Sequence, residues 1–420
     1  MKRIFISLFF FAFMWTAAGA DASPELLFVR WPANPDAVWY SFRIVPVTQH
    51  FGRKEMRPPI YEDGHVFRDS VMIEKEITDS YDGPGILCCQ VKAIGLDGQS
   101  ISAYSAPVPM EKAAQEMERY APKIRVKYHE QNGTVLLYPA YSFVKIPHAV
   151  SYEVEITDEE PENPDGCEPS VHRISQGIVT IPELFDELPR QGTVWWRVRG
   201  LDENGGPVGV WSEAEKIVND PAENWETGIL GDSISHGGGR MSYSPADWPY
   251  NYAYYLDFPT INISRSGDKT EDLLRRFDAD VLPFHVQYLL IMGGTNNLRS
   301  GETAEEVIAD LEALQEKCRS GGIEPVLLTI PPIAPDRIWK YYHQPTAENW
   351  KAEFDKVNGW IRTQTHIDTA APFAMYEDMP ENFAADGLHP DKEAKEKMGK
   401  IINEKFPEIR KKISETKIQK

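Results

Sequence analysis

Three side chains of suitable types stand at positions where acyl chemistry could be done. Ser233 lies in Gly231-Asp232-Ser233-Ile234-Ser235, and Asp386 and His389 lie in Asp386-Gly387-Leu388-His389-Pro390. A serine hydroxyl is a weak nucleophile at neutral pH. It needs a base to take its proton and a third group to orient that base and balance its charge. Imidazole, with an ordinary pKa near 6.5, suits the base. A carboxylate three residues earlier can lie on the same side of a turn and hold the ring. Ester hydrolysis also needs donors aimed at the oxygen of the tetrahedral intermediate; the Ser233 amide, a glycine amide and an amide side chain would serve. A Gly-Asp-Ser turn is common by itself. Its weight here comes from company: Gly294-Thr295-Asn296-Asn297 and the Asp386–Pro390 stretch both follow later in the chain. His236, three residues after Ser233, is a pocket residue beside the Asp386/His389 pair rather than a rival base. Asp280 and Asp391 read as surface caps.

The elements around these residues should hold them at one edge. The apolar Ile229-Leu230 leads into Ser233, and a strand that ends in Gly-Asp-Ser and breaks into Gly237-Gly238-Gly239 delivers its hydroxyl at a carboxyl edge, where open α/β sheets place their chemistry. Further strands are expected over 228–230, 260–263, 288–292, 325–330 and 367–369. Helices are expected over 250–256, 270–277, 304–318, 347–363 and 392–405. Strands separated by helices of this length predict a three-layer α/β/α domain with a parallel sheet of about five strands. The loops 241–248 and 333–343 follow strand ends.

The region before this has another texture. Short alternating runs such as Val38–Ile44 and Ile86–Ala93 are those of β-sandwiches. Cys88–Ala93 matches Trp195–Gly200 at a constant offset, which also pairs Gly98 with Gly205 and Tyr104-Ser105 with Trp211-Ser212. Ala37–Ile44 matches Ala149–Ile156 with a few residues inserted. Two copies of one module follow. Each resembles a fibronectin type III domain, on an early aromatic-Pro pair (Trp31-Pro32, Tyr138-Pro139) and a late hairpin ending in aromatic-Ser. The expected division is a signal peptide (1–22), a first β-sandwich module (23–109), a linker helix (110–122), a second module (123–218), a linker (219–226) and an α/β/α domain (227–420). The modules read most plainly as a spacer or a wall packed on the α/β domain; the alternative is glycan or partner binding.

Composition bounds the rest. The chain has 420 residues, too many for one core, and a formal net charge of −20, which argues against a nucleic-acid or anionic-membrane partner. Lys2-Arg3, the apolar run Ile4–Trp15 and the small residues after it read as a secretory signal. Secretion or a periplasmic location is therefore expected, with no stable membrane insertion once the signal is cleaved. No phosphate loop and no His/Cys cluster of zinc spacing occurs, so neither cofactor nor metal is expected.

Four of these stretches, in order, resemble the blocks of the SGNH (GDSL) hydrolase family: Gly231-Asp232-Ser233, Ser266-Gly267-Asp268, Gly294-Thr295-Asn296 and Asp386-Gly387-Leu388-His389. The likeness covers about Thr227 to Pro407 and implies a flavodoxin-like parallel sheet. It also implies a Ser233–His389–Asp386 triad and an oxyanion hole from Ser233, Gly267 and Asn296. Asn297 stands where the family often has Asp, and the glycine run with Arg240 suggests a reshaped pocket wall. The implied activity is that of a serine esterase, with deacetylation of a carbohydrate as the first expectation and an acylated glycan as the partner. A lipid esterase or thioesterase is second. A non-catalytic glycan-binding surface protein is the competing class. Candidate substrate contacts are His236, Arg240, Tyr243, Trp339, Tyr342 and His343.

Overall fold

The computed structural model describes residues 26–51, 53–125, 134–223, 225–239 and 243–418, with side chains to 415. The expected signal peptide and Arg240 lie outside the described residues. Among the described residues no helix is long and apolar enough to cross a membrane.

Among the described residues, six parallel strands form the sheet that carries the candidate site: β1 (Val135–Leu136), β2 (Thr227–Gly231), β3 (Ile261–Asn262), β4 (Tyr288–Met292), β5 (Glu324–Leu328) and β6 (His366–Ile367). Their spatial order is β1-β3-β2-β4-β5-β6. The strand order reverses at β2, and such a switch point opens a crevice at the carboxyl ends of the strands. Successive side chains on each strand face opposite layers. Leu230, Leu289, Ile291 and Leu327 pack with Leu273, Phe277, Val307, Leu311, Leu314, Phe354 and Val357 from helices Thr270–Asp280, Ala304–Ser320 and Trp350–Ile361. Ile229, Leu290, Met292, Val326 and Leu328 face the other way, onto Ala394, Met398, Ile402 and Phe406 of helix Lys392–Ile418. Both faces of the sheet are thus covered, as a parallel sheet requires.

Three expectations change. The sixth strand, β1, comes from the stretch assigned to the second module; it pairs with β3 through Val135↔Ile261 and Leu136↔Asn262. The 250–256 segment is two 3₁₀ turns, Trp248–Tyr250 and Tyr252–Tyr255, not an α-helix. Part of the 333–343 loop is a helix, Pro335–Tyr342, with proline in its first turn, where a missing N–H costs nothing.

The N-terminal region is rich in antiparallel strands. Among the described residues, each copy has one three-stranded and one five-stranded antiparallel sheet. The hairpin turns of the repeat coincide: Gly98 and Gly205 both have φ 78. The structure corrects the register of the first half. The Tyr40 hydroxyl bonds the backbone of Asn34 (2.6 Å to its N) and the Tyr152 hydroxyl that of Ile146 (3.1 Å). Leu26–Arg30 and Ala140–Val144 are each the middle strand of their three-stranded sheet. The counterpart of the loop after Leu26–Arg30 is therefore the one after Val144, and Tyr138-Pro139 does not correspond to Trp31-Pro32. The linker helix expected over 110–122 is only Met110–Ala113; Ala114–Met117 is a strand that pairs with Leu26–Val29 and covers that edge.

The two copies join the rest differently. The first has its own core, with Val29, Trp31, Phe42, Ile44 and Ile73. The core of the second, with Tyr141, Phe143, Tyr152 and Trp196, is continuous with the helix side of the parallel sheet. Where all three regions meet, a buried charge cluster forms. Arg68 of the first copy pairs with Glu183 (2.6 Å) of the second and with Asp247 in the loop after the glycine run. Arg125 pairs with Asp69 (3.2 Å) and Asp247 (3.6 Å).

Candidate active site

Ser233 opens the short helix Ser233–His236 directly after β2. The turn is sterically demanding: a Cβ on Gly231 would lie 2.4 Å from the Met292 carbonyl oxygen and 2.6 Å from Ser235 Oγ, so only glycine fits. Asp232 caps the helix, its Oδ1 accepting from the Ile234 amide at 2.9 Å. Burial pushes the Asp232 carboxyl up to about 6. Beneath the turn, the buried Lys395 ammonium donates to the Ile234 carbonyl; burial lowers its pKa to about 7, against the attraction of Asp232, Asp391 and Asp386. Asp391 is no surface cap: it is buried and accepts from the Ala385 amide at 2.9 Å.

The structure brings Ser233, His389 and Asp386 into one hydrogen-bonded line. His389 Nε2 is 3.1 Å from Ser233 Oγ, and His389 Nδ1 is 2.9 Å from Asp386 Oδ2. The other Asp386 oxygen accepts from the amides of Leu388 and His389, both at 2.8 Å. Burial alone would raise the Asp386 pKa. The charge of His389 and the hydrogen bonds from His389 and Tyr342 outweigh it and hold the carboxyl at about 2. An ionised carboxylate only accepts, so His389 carries its proton on Nδ1 and turns the Nε2 lone pair to the Ser233 hydroxyl. Tyr342, expected to touch substrate, instead donates its hydroxyl to Asp386 Oδ2 at 2.6 Å.

The opposite side of Ser233 is built from the ends of β3 and β4. Neither the Ser233 nor the Gly267 amide has a hydrogen-bond partner among the described residues. Gly267 has φ +88, a conformation that disfavours any side chain even where space is open. Asn296 Nδ2 donates one hydrogen to the Asp268 carbonyl at 2.9 Å and keeps a second. Asn297 is fully buried and supports this loop. Its Oδ1 accepts from the Thr270 amide (3.0 Å) and its Nδ2 donates to Glu271 (2.9 Å) and Glu302 (2.7 Å). An Asp could not donate to those carboxylates, so the departure from the family pattern suits its surroundings.

His236 is not positioned as a substrate contact. Only 2% of it is exposed and both ring nitrogens are taken, Nε2 by the Tyr138 carbonyl oxygen (2.7 Å) and Nδ1 by Ser266. Tyr243 stacks on Tyr250, ring centres 4.2 Å apart. Trp339 is 56% exposed and edge-on to His343, one turn along the helix that carries Tyr342. A cavity of about 340 Å³ runs along the Arg265–Asp268 loop, with Phe185, Asp186 and Glu187 of the second copy as its far wall.

A family model described as GDSL-like Lipase/Acylhydrolase family matches residues 229–397. The C-terminal part of the chain is therefore a GDSL/SGNH lipase-acylhydrolase domain. Thioesterase 1/protease 1/lysophospholipase L1 of Escherichia coli K12 is 29% identical over 171 residues, 40% of this chain and 76% of that protein. Among solved structures, a lipase/acylhydrolase from Enterococcus faecalis is 25% identical, with 43% of this chain and 94% of that chain covered and a TM-score of 0.35. An acetyl-xylooligosaccharide esterase from Geobacillus Stearmophilus is 19% identical, with 42% and 91% covered and a TM-score of 0.33.

Proposed function

We propose that the protein is an exported serine esterase that removes small acyl groups, acetate first among them, from carbohydrate. The observation that carries the esterase reading is the line Asp386–His389–Ser233 beside unpartnered amides. His389 Nε2 takes the Ser233 proton as Oγ attacks the ester carbonyl. The Ser233 and Gly267 amides and the second Asn296 Nδ2 hydrogen receive the oxyanion. On collapse His389 returns the proton to the leaving alcohol. Water, deprotonated by His389, then attacks the acyl-serine, and the carboxylic acid departs as Ser233 regains its proton.

The carbohydrate reading rests on the cavity beside Gly267. Among the described residues Phe185 is the one apolar side chain of its lining; Asp186, Glu187, His236, Arg265, Ser266, Asp268 and Asp272 supply polar groups. A fatty chain gains about 0.8 kcal/mol per methylene only where the surroundings are apolar. A sugar alcohol suits such a lining better, with one aromatic face to stack on, and Trp339 and His343 are exposed near Tyr342 to extend the contact. Export is inferred from Lys2-Arg3 and the apolar run that follows. The E. coli relative's name favours a second reading, a thioesterase or lysophospholipase. A chain-length series of aryl esters, run beside acetate release from acetylated xylan and pectin, separates the two. Acetate should be cleaved far better than octanoate. Preference for eight carbons or more, with no acetate released from any glycan, would move the assignment to the second reading.

A further inference from the structure

The turn Ser266-Gly267-Asp268 is held at both ends by one residue of the N-terminal region. At the first end, the Ser266 amide donates to His236 Nδ1 (3.2 Å), with Ser266 Oγ also 2.9 Å from that nitrogen. A backbone N–H can only donate, so Nδ1 is the unprotonated nitrogen and the ring hydrogen sits on Nε2. Nε2 meets the Tyr138 carbonyl oxygen at 2.7 Å, which can only accept. The tautomer is thereby fixed from both sides. An imidazolium would turn a donor against the Ser266 amide; burial opposes it as well, lowering the His236 pKa to about 4.

At the other end, Asp268 is buried and pairs with Arg276 at 2.6 Å. Arg276 also donates to the Ile263 carbonyl (2.5 Å) and pairs with Asp280 (3.2 Å). Asp280 is buried too, contrary to its reading as a surface cap, and accepts from the Tyr138 hydroxyl at 2.6 Å. The Arg265 and Arg276 guanidinium carbons lie 5.6 and 5.5 Å from the centre of the Tyr138 ring. Tyr138 stands two residues after the end of β1, and the Leu137 amide between them bonds the Asn262 carbonyl (2.8 Å) at the end of β3. Its carbonyl therefore reaches Ser266 through His236, and its hydroxyl reaches Asp268 through Asp280 and Arg276.

We propose that His236 and Tyr138 are positioning residues for the oxyanion turn, so that the N-terminal region sets the aim of the Gly267 amide. This rests on the esterase reading above. It makes the N-terminal region a working part of the site rather than a spacer.

The test uses the full chain and an aryl acetate. Asn at 236 keeps an acceptor near the Nδ1 position but loses the reach to Tyr138; Gln keeps a donor near the Nε2 position but loses the acceptor for Ser266. His236→Gln should lower kcat about 10- to 100-fold with KM little changed, the scale of a misplaced donor. His236→Asn should recover part of that loss. Affinity for a boronic acid, which forms a tetrahedral adduct on the serine, should fall by the same factor as kcat/KM. Tyr138→Phe removes one hydroxyl while keeping the ring and the backbone carbonyl that His236 meets, and should lower kcat and boronate affinity severalfold together. Folded His236→Gln and Tyr138→Phe proteins with wild-type kcat and boronate affinity would overturn the proposal, as would variants that only lower the melting temperature. A wild-type protein inert toward every aryl ester would instead sink the esterase reading.

Discussion

The two halves of the candidate site are built on different plans. On the acid–base half, Asp386 and His389 are three residues apart, their turn closes on its own amides, and Tyr342 reaches in from a helix of the same domain. On the oxyanion half, Gly267 and Asn296 come from the ends of two strands. Their turn is braced through His236, Arg276 and Asp280 to Tyr138, which lies outside the residues 229–397 that the family model matches. The Asp386–His389 pair of the first half is a local device, closed within one turn. The second depends on long-range assembly. Base chemistry and oxyanion binding should therefore respond differently to perturbation of the N-terminal region.

Ser233 belongs to both halves, through its hydroxyl and its amide. Ser233→Ala removes the hydroxyl alone and should lower kcat roughly 10⁴-fold or more, abolish labelling by a fluorophosphonate and leave circular dichroism unchanged. His389→Ala should do the same. Wild-type turnover in Ser233→Ala would require another nucleophile. Next in size, Asn296→Ala takes one donor from the oxyanion half and should cost about 10²–10³ in kcat, measured under saturating ester. On the acid–base half, Tyr342→Phe removes one of several donors to Asp386. A loss of roughly tenfold is expected, the equivalent of one charge-assisted hydrogen bond of about 1.5 kcal/mol. A loss equal to that of Asn296→Ala would mean that Tyr342 does more than orient the carboxylate.

Two smaller effects on turnover sharpen the contrast through stability. Arg68 belongs to neither half. Arg68→Ala leaves Glu183 without its buried partner and Asp247 with Arg125 alone, and should cost about 3–5 kcal/mol in denaturant unfolding, with little change in the kcat of the folded fraction. The last concerns pH. The folded His236 pKa of about 4 lies below its ordinary 6.5. The unfolded chain therefore binds a proton in that window that the folded protein refuses, and stability falls as pH drops from 6.5 toward 4. Asp232, raised to about 6 from 3.8, acts in the opposite sense over much of the same range, since the folded state there holds the extra proton. His236→Asn removes only the first contribution. The difference in unfolding free energy between wild type and variant should shrink steadily as pH falls through the window. A difference independent of pH would mean that His236 is not held neutral.

Much of this was legible in the sequence where the signal is local. The Asp386/His389 spacing, the Gly-Asp-Ser strand end and the alternation of apolar strands with amphipathic helices all depend on neighbours in the chain, and the structure sets these residues side by side. Legibility failed where long-range packing decides. Val135-Leu136 looks like any sandwich strand, and nothing in two apolar residues says that they add to a parallel sheet. Tyr342 reads as part of a loop because it follows Pro331-Pro332, yet Pro335 starts a helix that carries it. His236, so near Ser233, drew a pocket role; its burial follows from Tyr138, a residue whose pairing with Trp31 in the repeat was itself out of register. Lys395 interrupts the apolar series Ala394, Met398, Ile402. That lysine on a core-facing stripe was the one available sign of a buried cation under the nucleophile turn.

The strand β1 also has a consequence for synthesis on the ribosome. Thr134 and Thr260, which meet across the β1–β3 pair, are 126 residues apart in the chain. At about 5–20 residues per second, β1 leaves the ribosome roughly 6–25 s before its partner strand exists. During that interval Val135, Leu136 and Leu137 form an apolar edge with nothing to pair with, the kind of segment that seeks other chains. Asn219 shortens the exposure, since its Nδ2 donates to the Leu136 carbonyl (2.9 Å) and the Arg190 carbonyl (3.0 Å) and so ties the strand to the end of the second copy before the hydrolase domain emerges. The N-terminal region is thus finished first and presents a waiting edge. The order of translation places this edge ahead of the strand that pairs with it.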